Sequence, residues 1–273
     1  MLKIYRIELL FVWSAVANND NCWRIAPRLA VHRILLLKNL RHLSLILIAL
    51  GFVVTGVVFG IYPDLDLHIA AYFFDPGKTT FTHAADPVIV SLRNLNSAID
   101  IMIGVVLAVA VIQAYFVPAK PPIVSRRIVV FLVVTFLLAP VFFANVVFKE
   151  NWGRPRPYHV TQHGGQSQFM AWWDPRGTCT RSCSFFSGEV AAAAWTMGPA
   201  VLVTGPAGAV AIGASLLFTA SIAVVRMAQG GHFFSDAAFA ALFTWLIVWI
   251  AYGFFFLRPS SVITRETGGR RPA

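Results

Sequence analysis

Six long apolar runs set the limits on what this chain of 273 residues can fold into. They fall at 43–62, 99–117, 128–148, 187–203, 207–225 and 237–257. Each approaches the ~20 residues that an α-helix needs to cross ~30 Å of hydrocarbon. In lipid the backbone has no water to bond, so each run must satisfy its own N–H and C=O groups as a helix. The sequence is 58% hydrophobic and 12% charged, with a mean hydropathy of +0.70. That balance excludes an ordinary soluble domain and a disordered chain. No internal repeat or low-complexity segment is visible. The expectation is an all-α polytopic membrane bundle of six transmembrane helices. One membrane domain covers 43–257, between an N-terminal segment 1–42 and a basic tail 258–273.

The net charge of +10 would suggest nucleic acid in a soluble protein, but its distribution points elsewhere. Segment 1–42 carries Lys3, Arg6, Arg24, Arg28, Arg33, Lys38 and Arg41 against Glu8 and Asp20. The loop between the second and third runs has Lys120, Arg126 and Arg127 with no acid, and the tail adds Arg258, Arg265, Arg270 and Arg271 against Glu266. If six spans alternate, these stretches share one side, and the positive-inside rule places both termini in the cytoplasm. The first outer loop, 63–98, has Asp64, Asp66, Asp75 and Asp86 against Lys78 and Arg93, as an outer loop should. The N-terminal stretch 7–16 with Ala15-Val16-Ala17 has some features of a signal peptide. However, Glu8 interrupts it, and cleavage would invert every later span, so a cytoplasmic amphipathic segment or an early start codon is the expectation.

The second outer loop departs from that pattern, with Lys149, Arg154, Arg156, Arg176 and Arg181 on the outside. Three polar segments at the ends of apolar runs concentrate this charge: 149–157 (KENWGRPRP), 183–189 (CSFFSGE) and 226–236 (RMAQGGHFFSD). Charged groups at the edge of hydrocarbon need a partner or a purpose. Alternating spans deliver Lys149 outward, start the fourth run at Ser187 outside, and return the chain outward to Arg226. All three segments then meet at one outer surface, where anion binding is the natural purpose.

The residues suit a phosphate. Lys149 offers a point charge, and Arg156 and Arg226 each offer a fork for two phosphate oxygens. Free N–H groups around Ser187 and Gly188 add donors and the positive end of a helix dipole. Such a set stabilises the charge of a phosphoryl-transfer transition state. His232 is the candidate nucleophile, with Asp236 one helical turn on to bond one ring nitrogen and free the other. Taken alone, His232 also reads as a polar interface residue bonded to Asp236.

The pattern Lys149…Arg156-Pro157, Ser187-Gly188-Glu189 and Arg226…His232…Asp236 resembles the type 2 phosphatidic acid phosphatase family in spacing and order, over roughly 43–257. The resemblance implies six transmembrane helices with the site at the outer surface. It implies a phosphohistidine on His232 oriented by Asp236, and phosphate held by Lys149, Arg156, Ser187, Gly188 and Arg226. It implies no metal and no cofactor. A membrane lipid-phosphate phosphatase of a bacterial inner membrane, with its site facing the periplasm, is therefore expected. Lipid A, phosphatidylglycerophosphate, phosphatidic acid and undecaprenyl diphosphate are candidate substrates. A lipid phosphotransferase and a catalytically altered lipid-binding or transport protein are the alternatives; nucleic acid is not an expected partner.

The chain departs from the family at its second motif, which usually reads Pro-Ser-Gly-His with the histidine protonating the leaving group. Phe186 and Glu189 stand in those places. Glu189 either donates a proton as a carboxylic acid or pairs with Arg154, Arg181 or another cation. Val225 stands where the family's third motif usually has serine. The Ser-Gly-Glu variant and its cysteine-containing loop look most like bacterial lipid A phosphatases. Cys179 and Cys183 are expected outside, either bonded as a disulfide or as free thiols, and Cys22 inside and inert. Trp152, Phe169, Trp172 and Trp173 read as an interfacial aromatic belt before they read as the lining of a lipid entry route, Asp100 as a helix N-terminal carboxylate before a member of the site, and 64–74 as a short interfacial segment without assigned chemistry.

Overall fold

The computed structural model describes residues 22–117 and 124–257, with side chains from residue 37 onward. The expectations for the signal-like stretch, the side chain of Cys22, Lys120 and the basic tail lie outside the described residues, and with them the sidedness of the termini.

Helix α1 spans Cys22–Ile61, so no break falls at the expected boundary between residues 42 and 43. A short helix α2 (Asp64–Ala71) and a two-stranded hairpin follow, β1 (Phe74–Asp75) pairing antiparallel with β2 (Thr80–Phe81). Helix α3 (Pro87–Tyr115) starts where Asp86 caps it, its carboxylate accepting from Val88 N and Ile89 N, with Pro87 at the first position, where its missing N–H costs nothing. This start, earlier than the expected 99, leaves Asp100 inside the helix and not at its N-terminus.

Helix α4 (Arg126–Phe136) runs on into a π-helical segment, Leu137–Phe148, and a last turn, Lys149–Asn151. Pro140 has no N–H to give, and Asn145 Nδ2 donates to its carbonyl at 2.6 Å. Wide i→i+5 turns often mark functional sites because they re-aim the residues beyond them. Here the residue beyond is Lys149.

The fourth apolar run is not a single span. It forms α5 (Gly188–Trp195) and α6 (Met197–Ala200), two short helices in series. Pro199 lies inside α6, and Thr196 turns its hydroxyl back to Ala193 O at 2.6 Å. The interruption is largely covered by protein, with Trp195, Met197 and Gly198 buried, Thr196 half-buried and Pro199 exposed, and irregular backbone is tolerated at membrane depth where protein covers it. Helices α7 (Pro206–Ala228) and α8 (Phe234–Phe256) complete the bundle. Among the described residues, five helices are thus long and apolar enough to cross a membrane, against the six expected.

Helix α8 packs against α5 and α1, and α5 is enclosed by α7, α8 and the π segment. Ala191, Ala193 and Ala194 are fully buried, and such small side chains let helix backbones approach closely. The half of the core nearest the site is built from these alanines with Phe185, Phe186, Ile222, Phe239 and Ala240. The opposite half packs Phe131, Trp195, Val248, Trp249 and Tyr252. Trp195 Nε1 donates to Thr135 Oγ1 at 2.9 Å, which satisfies a polar group deep in that core.

Candidate active site

The three polar segments converge at one end of the bundle. Lys149 closes the third span, Glu189 opens α5, Arg226 ends α7, and His232 sits on the loop between α7 and α8. The charges of Lys149, Arg156 and Arg226 all act on His232.

His232 is 2% exposed, and its Nδ1 lies 2.7 Å from the carbonyl oxygen of Ser184. A carbonyl can only accept, so Nδ1 carries the hydrogen and Nε2 keeps its lone pair. Burial first, then the charges of Arg226 and Arg156, hold the imidazole pKa well below its ordinary value. The ring is therefore neutral near neutral pH, the form a nucleophile requires.

The loop geometry depends on two glycines. Gly230 has φ +67°, and a side chain there would run into the Phe81 ring of β2. At Gly231 a Cβ would meet the guanidinium of Arg226, so the absence of a side chain lets the arginine lie beside the histidine loop.

Asp236 does not bond His232, contrary to the expectation. Its carboxylate accepts from Arg154 Nη1, Ser184 Oγ and, at 2.9 Å, Phe233 N. It caps α8 and anchors Ser184, whose carbonyl then takes the histidine. Asp236 thus reaches the ring through Ser184.

Glu189 pairs neither with Arg154 nor with Arg181. Arg93 Nε, from α3, lies 3.3 Å from its Oε1, and Arg226 Nε lies 3.5 Å from its Oε2. Arg226 also donates from Nη1 to Gln229 Oε1 at 2.7 Å. Arg156 donates from Nε to Ser182 O at 2.9 Å and from Nη2 to Ser182 Oγ at 3.0 Å. Lys149 Nζ lies 3.4 Å from Asn145 Oδ1. A Cβ at Gly188 would press on that same Asn145 oxygen. Ser187 is the N-cap of α5, its Oγ accepting from Val190 N at 3.4 Å, so its own O–H remains available to donate. Around one buried imidazole the chain therefore gathers a lysine, two forked arginines, a capping hydroxyl and a helix N-terminus.

Cys179 and Cys183 form a disulfide with Cα atoms 5.7 Å apart. The loop it closes contains Ser182, the partner of Arg156. The next residues tie the second segment to the first, Cys183 N donating to Lys149 O at 3.2 Å and Ser184 N to Arg154 O at 2.8 Å. Trp152, Phe169 and Trp172 are half-buried. Trp152 and Trp172 pack with Phe185, and Phe169 packs with Phe233; Trp173 is exposed.

Arg93, Asn96, Asp66 and Ser184 stand near the site without a role in the motif pattern. Arg93 was counted only as loop charge, although Arg93, Asn96 and Asp100 fall at helical spacing on one face of α3, a periodicity legible in principle. Asn96 Nδ2 donates to Asp100 Oδ2 at 3.2 Å. Asp66 and Ser184 lack any such signal. Among the described residues, no group of His, Cys, Asp and Glu side chains is placed to hold a metal ion.

A family model described as the PAP2 superfamily matches residues 128–260. The chain is 30% identical over 209 residues to a lipid A 4'-phosphatase of Francisella tularensis subsp. novicida, covering 75% of this chain and 94% of the relative. A lipid A 4'-phosphatase of Rhizobium leguminosarum is 38% identical over 104 residues, 37% of this chain and 44% of the relative. One of Rhizobium etli is 26% identical over 196 residues, 66% and 74%. No solved structure gives a significant match. The matched region runs from the helix that delivers Lys149 to the end of α8, and so contains all three segments gathered around His232: the chain belongs to the PAP2 superfamily.

Proposed function

We propose that this lipid phosphatase removes a phosphate monoester from lipid A at the periplasmic face of a bacterial inner membrane, through a phosphohistidine on His232. The observation that carries the reading is the neutral imidazole, hydrogen-bonded at Nδ1 to Ser184 O and surrounded by Lys149, Arg156 and Arg226. The substrate class is supported by the lipid A 4'-phosphatases to which the chain is similar over most of their length. The basic excess on the opposite loops supports the orientation.

In this reading Lys149, Arg156 and Arg226 hold the phosphate oxygens, with the Ser187 hydroxyl and the N–H groups of Gly188 and Glu189. His232 Nε2 forms a bond to phosphorus as the bond to the leaving oxygen breaks, and that oxygen takes its proton from water. A second water then attacks phosphorus, releases inorganic phosphate and restores the imidazole. Most of the catalysis is positioning and charge stabilisation. Glu189 acts as the counter-charge that aims Arg226 and Arg93, which its two ion pairs support.

The test is phosphate release by purified protein in nanodiscs, on lipid A and on phosphatidic acid. Release from lipid A, lost in His232→Ala, is the expected result. Release from phosphatidic acid alone would overturn the substrate assignment, and activity surviving in His232→Ala would overturn the nucleophile.

A further inference from the structure

A fully buried ion cluster lies behind the histidine loop. Arg154, Asp66, Asp236, Ser184 and Ser235 are at most 1% exposed. Each of the three guanidinium nitrogens of Arg154 donates to protein. Its Nε donates to Met170 O at 2.9 Å, Nη1 to Ser235 Oγ at 2.9 Å and to Asp236, and Nη2 to Asp66 Oδ2 at 2.8 Å. The Phe233 ring lies 4.5 Å from the guanidinium carbon. Removing one arginine and two carboxylates from water carries a large desolvation cost before their attraction is counted. An apolar cluster would hold α2 to α8 at less cost, so the ions ask for a reason other than stability.

Their geometry supplies one. We propose that Asp66 and Arg154 are positioning residues for His232, a role that rests on His232 being the nucleophile. Asp66, from α2, accepts from Ser235 N at 3.0 Å and from Ser235 Oγ, while Asp236 accepts from Phe233 N at 2.9 Å. The two backbone groups that follow His232 are thereby held from two directions, and Arg154 locks the two carboxylates together. Ser184 completes the frame. Its N–H donates to Arg154 O at 2.8 Å, its hydroxyl to Asp236, and its carbonyl receives the Nδ1 hydrogen of His232. The chain Asp66, Arg154, Asp236, Ser184 fixes both the tautomer and the aim of Nε2. A misplacement of about 1 Å at a reacting atom can cost on the order of a hundredfold in rate.

The experiment uses the full chain in nanodiscs with lipid A, measuring kcat and KM on the folded fraction isolated by size exclusion. Asp66→Asn and Arg154→Lys should each lower kcat about tenfold or more with KM within about threefold, the signature of an interaction expressed in the transition state. Inhibition by inorganic phosphate, which reports the cationic site and not the imidazole, should stay unchanged. Asp66→Asn combined with Ser184→Ala should lose less than the product of the single losses, because both act through one chain. Wild-type kcat in folded Asp66→Asn, a change confined to KM, or losses that multiply would each overturn the proposal. Where those variants fail to fold, Ser235→Ala decides, removing only the hydroxyl between Asp66 and Arg154. A kcat reduced about threefold at constant KM supports the proposal, and an unchanged kcat overturns it. A wild-type protein that releases no phosphate, or whose His232 is never phosphorylated, sinks the underlying reading instead.

Discussion

At the scale of single residues, the neutral His232 makes a signed prediction about pH. Its pKa lies well below the ordinary 6.5, through burial and then through Arg226 and Arg156. Protonation would remove the attacking lone pair, so activity is retained as pH falls through 6.5 and is lost only below it. The acid limb of kcat/KM, which reports the free enzyme, should therefore lie under 6.5. Arg156→Ala removes a positive charge and should move that limb upward; a limb unmoved or lowered contradicts the electrostatic assignment. Glu189 gives a second prediction. As the partner of Arg93 and Arg226, it should cost similar factors for good and poor leaving groups when changed to Gln, read as parallel plots of log kcat against leaving-group pKa. A loss that steepens with leaving-group pKa would restore the proton-donor role.

At the scale of elements, the sequence was most informative where physics is local and least where partners are distant. Apolar length located the helices, because a span needs its own hydrogen bonds and enough residues to cross hydrocarbon. The fourth run misled for the same reason: its composition is that of a span, yet Thr196 and Pro199 divide it into two short helices, a break that hydropathy does not see. Motif spacing brought Lys149, Arg156, Ser187, Arg226 and His232 to one place. Asp236 at one helical turn from His232 was the reasonable partner, but competing donors from Arg154, Ser184 and Phe233 claim its carboxylate. No spacing rule links Asp66 to Arg154 across 88 positions, so that ion pair was legible only in three dimensions. One prediction belongs at this scale. Thr135→Val leaves Trp195 Nε1 without its acceptor in the core, at a cost of about 1–3 kcal/mol. The melting temperature should fall while kcat at low temperature stays near wild type, since the contact lies in the core half away from His232. A loss of kcat without a loss of stability would contradict the separation of the two halves.

At the scale of the whole molecule, four of the five long helices among the described residues, α3, α4, α7 and α8, pack around a broken one whose first turn faces the cationic site. The enclosed helix is the element that presents Ser187 and Gly188, and the helices around it spare it the need to face lipid. The proposed orientation predicts that the hairpin between β1 and β2 faces the periplasm. Lys78, whose side chain is 79% exposed, can be replaced by cysteine. A membrane-impermeant maleimide should label Lys78→Cys in cells with a permeabilised outer membrane, and labelling only after lysis would reverse the topology. The proposed mechanism depends on a covalent bond to one nitrogen. Rapid acid-free quenching of the enzyme with excess lipid A, followed by phosphopeptide mass spectrometry, observes that bond directly. Phosphate is expected on His232, transient in the wild type and absent in His232→Ala. Turnover with no phosphorylated peptide, or with phosphate on another residue, would contradict it.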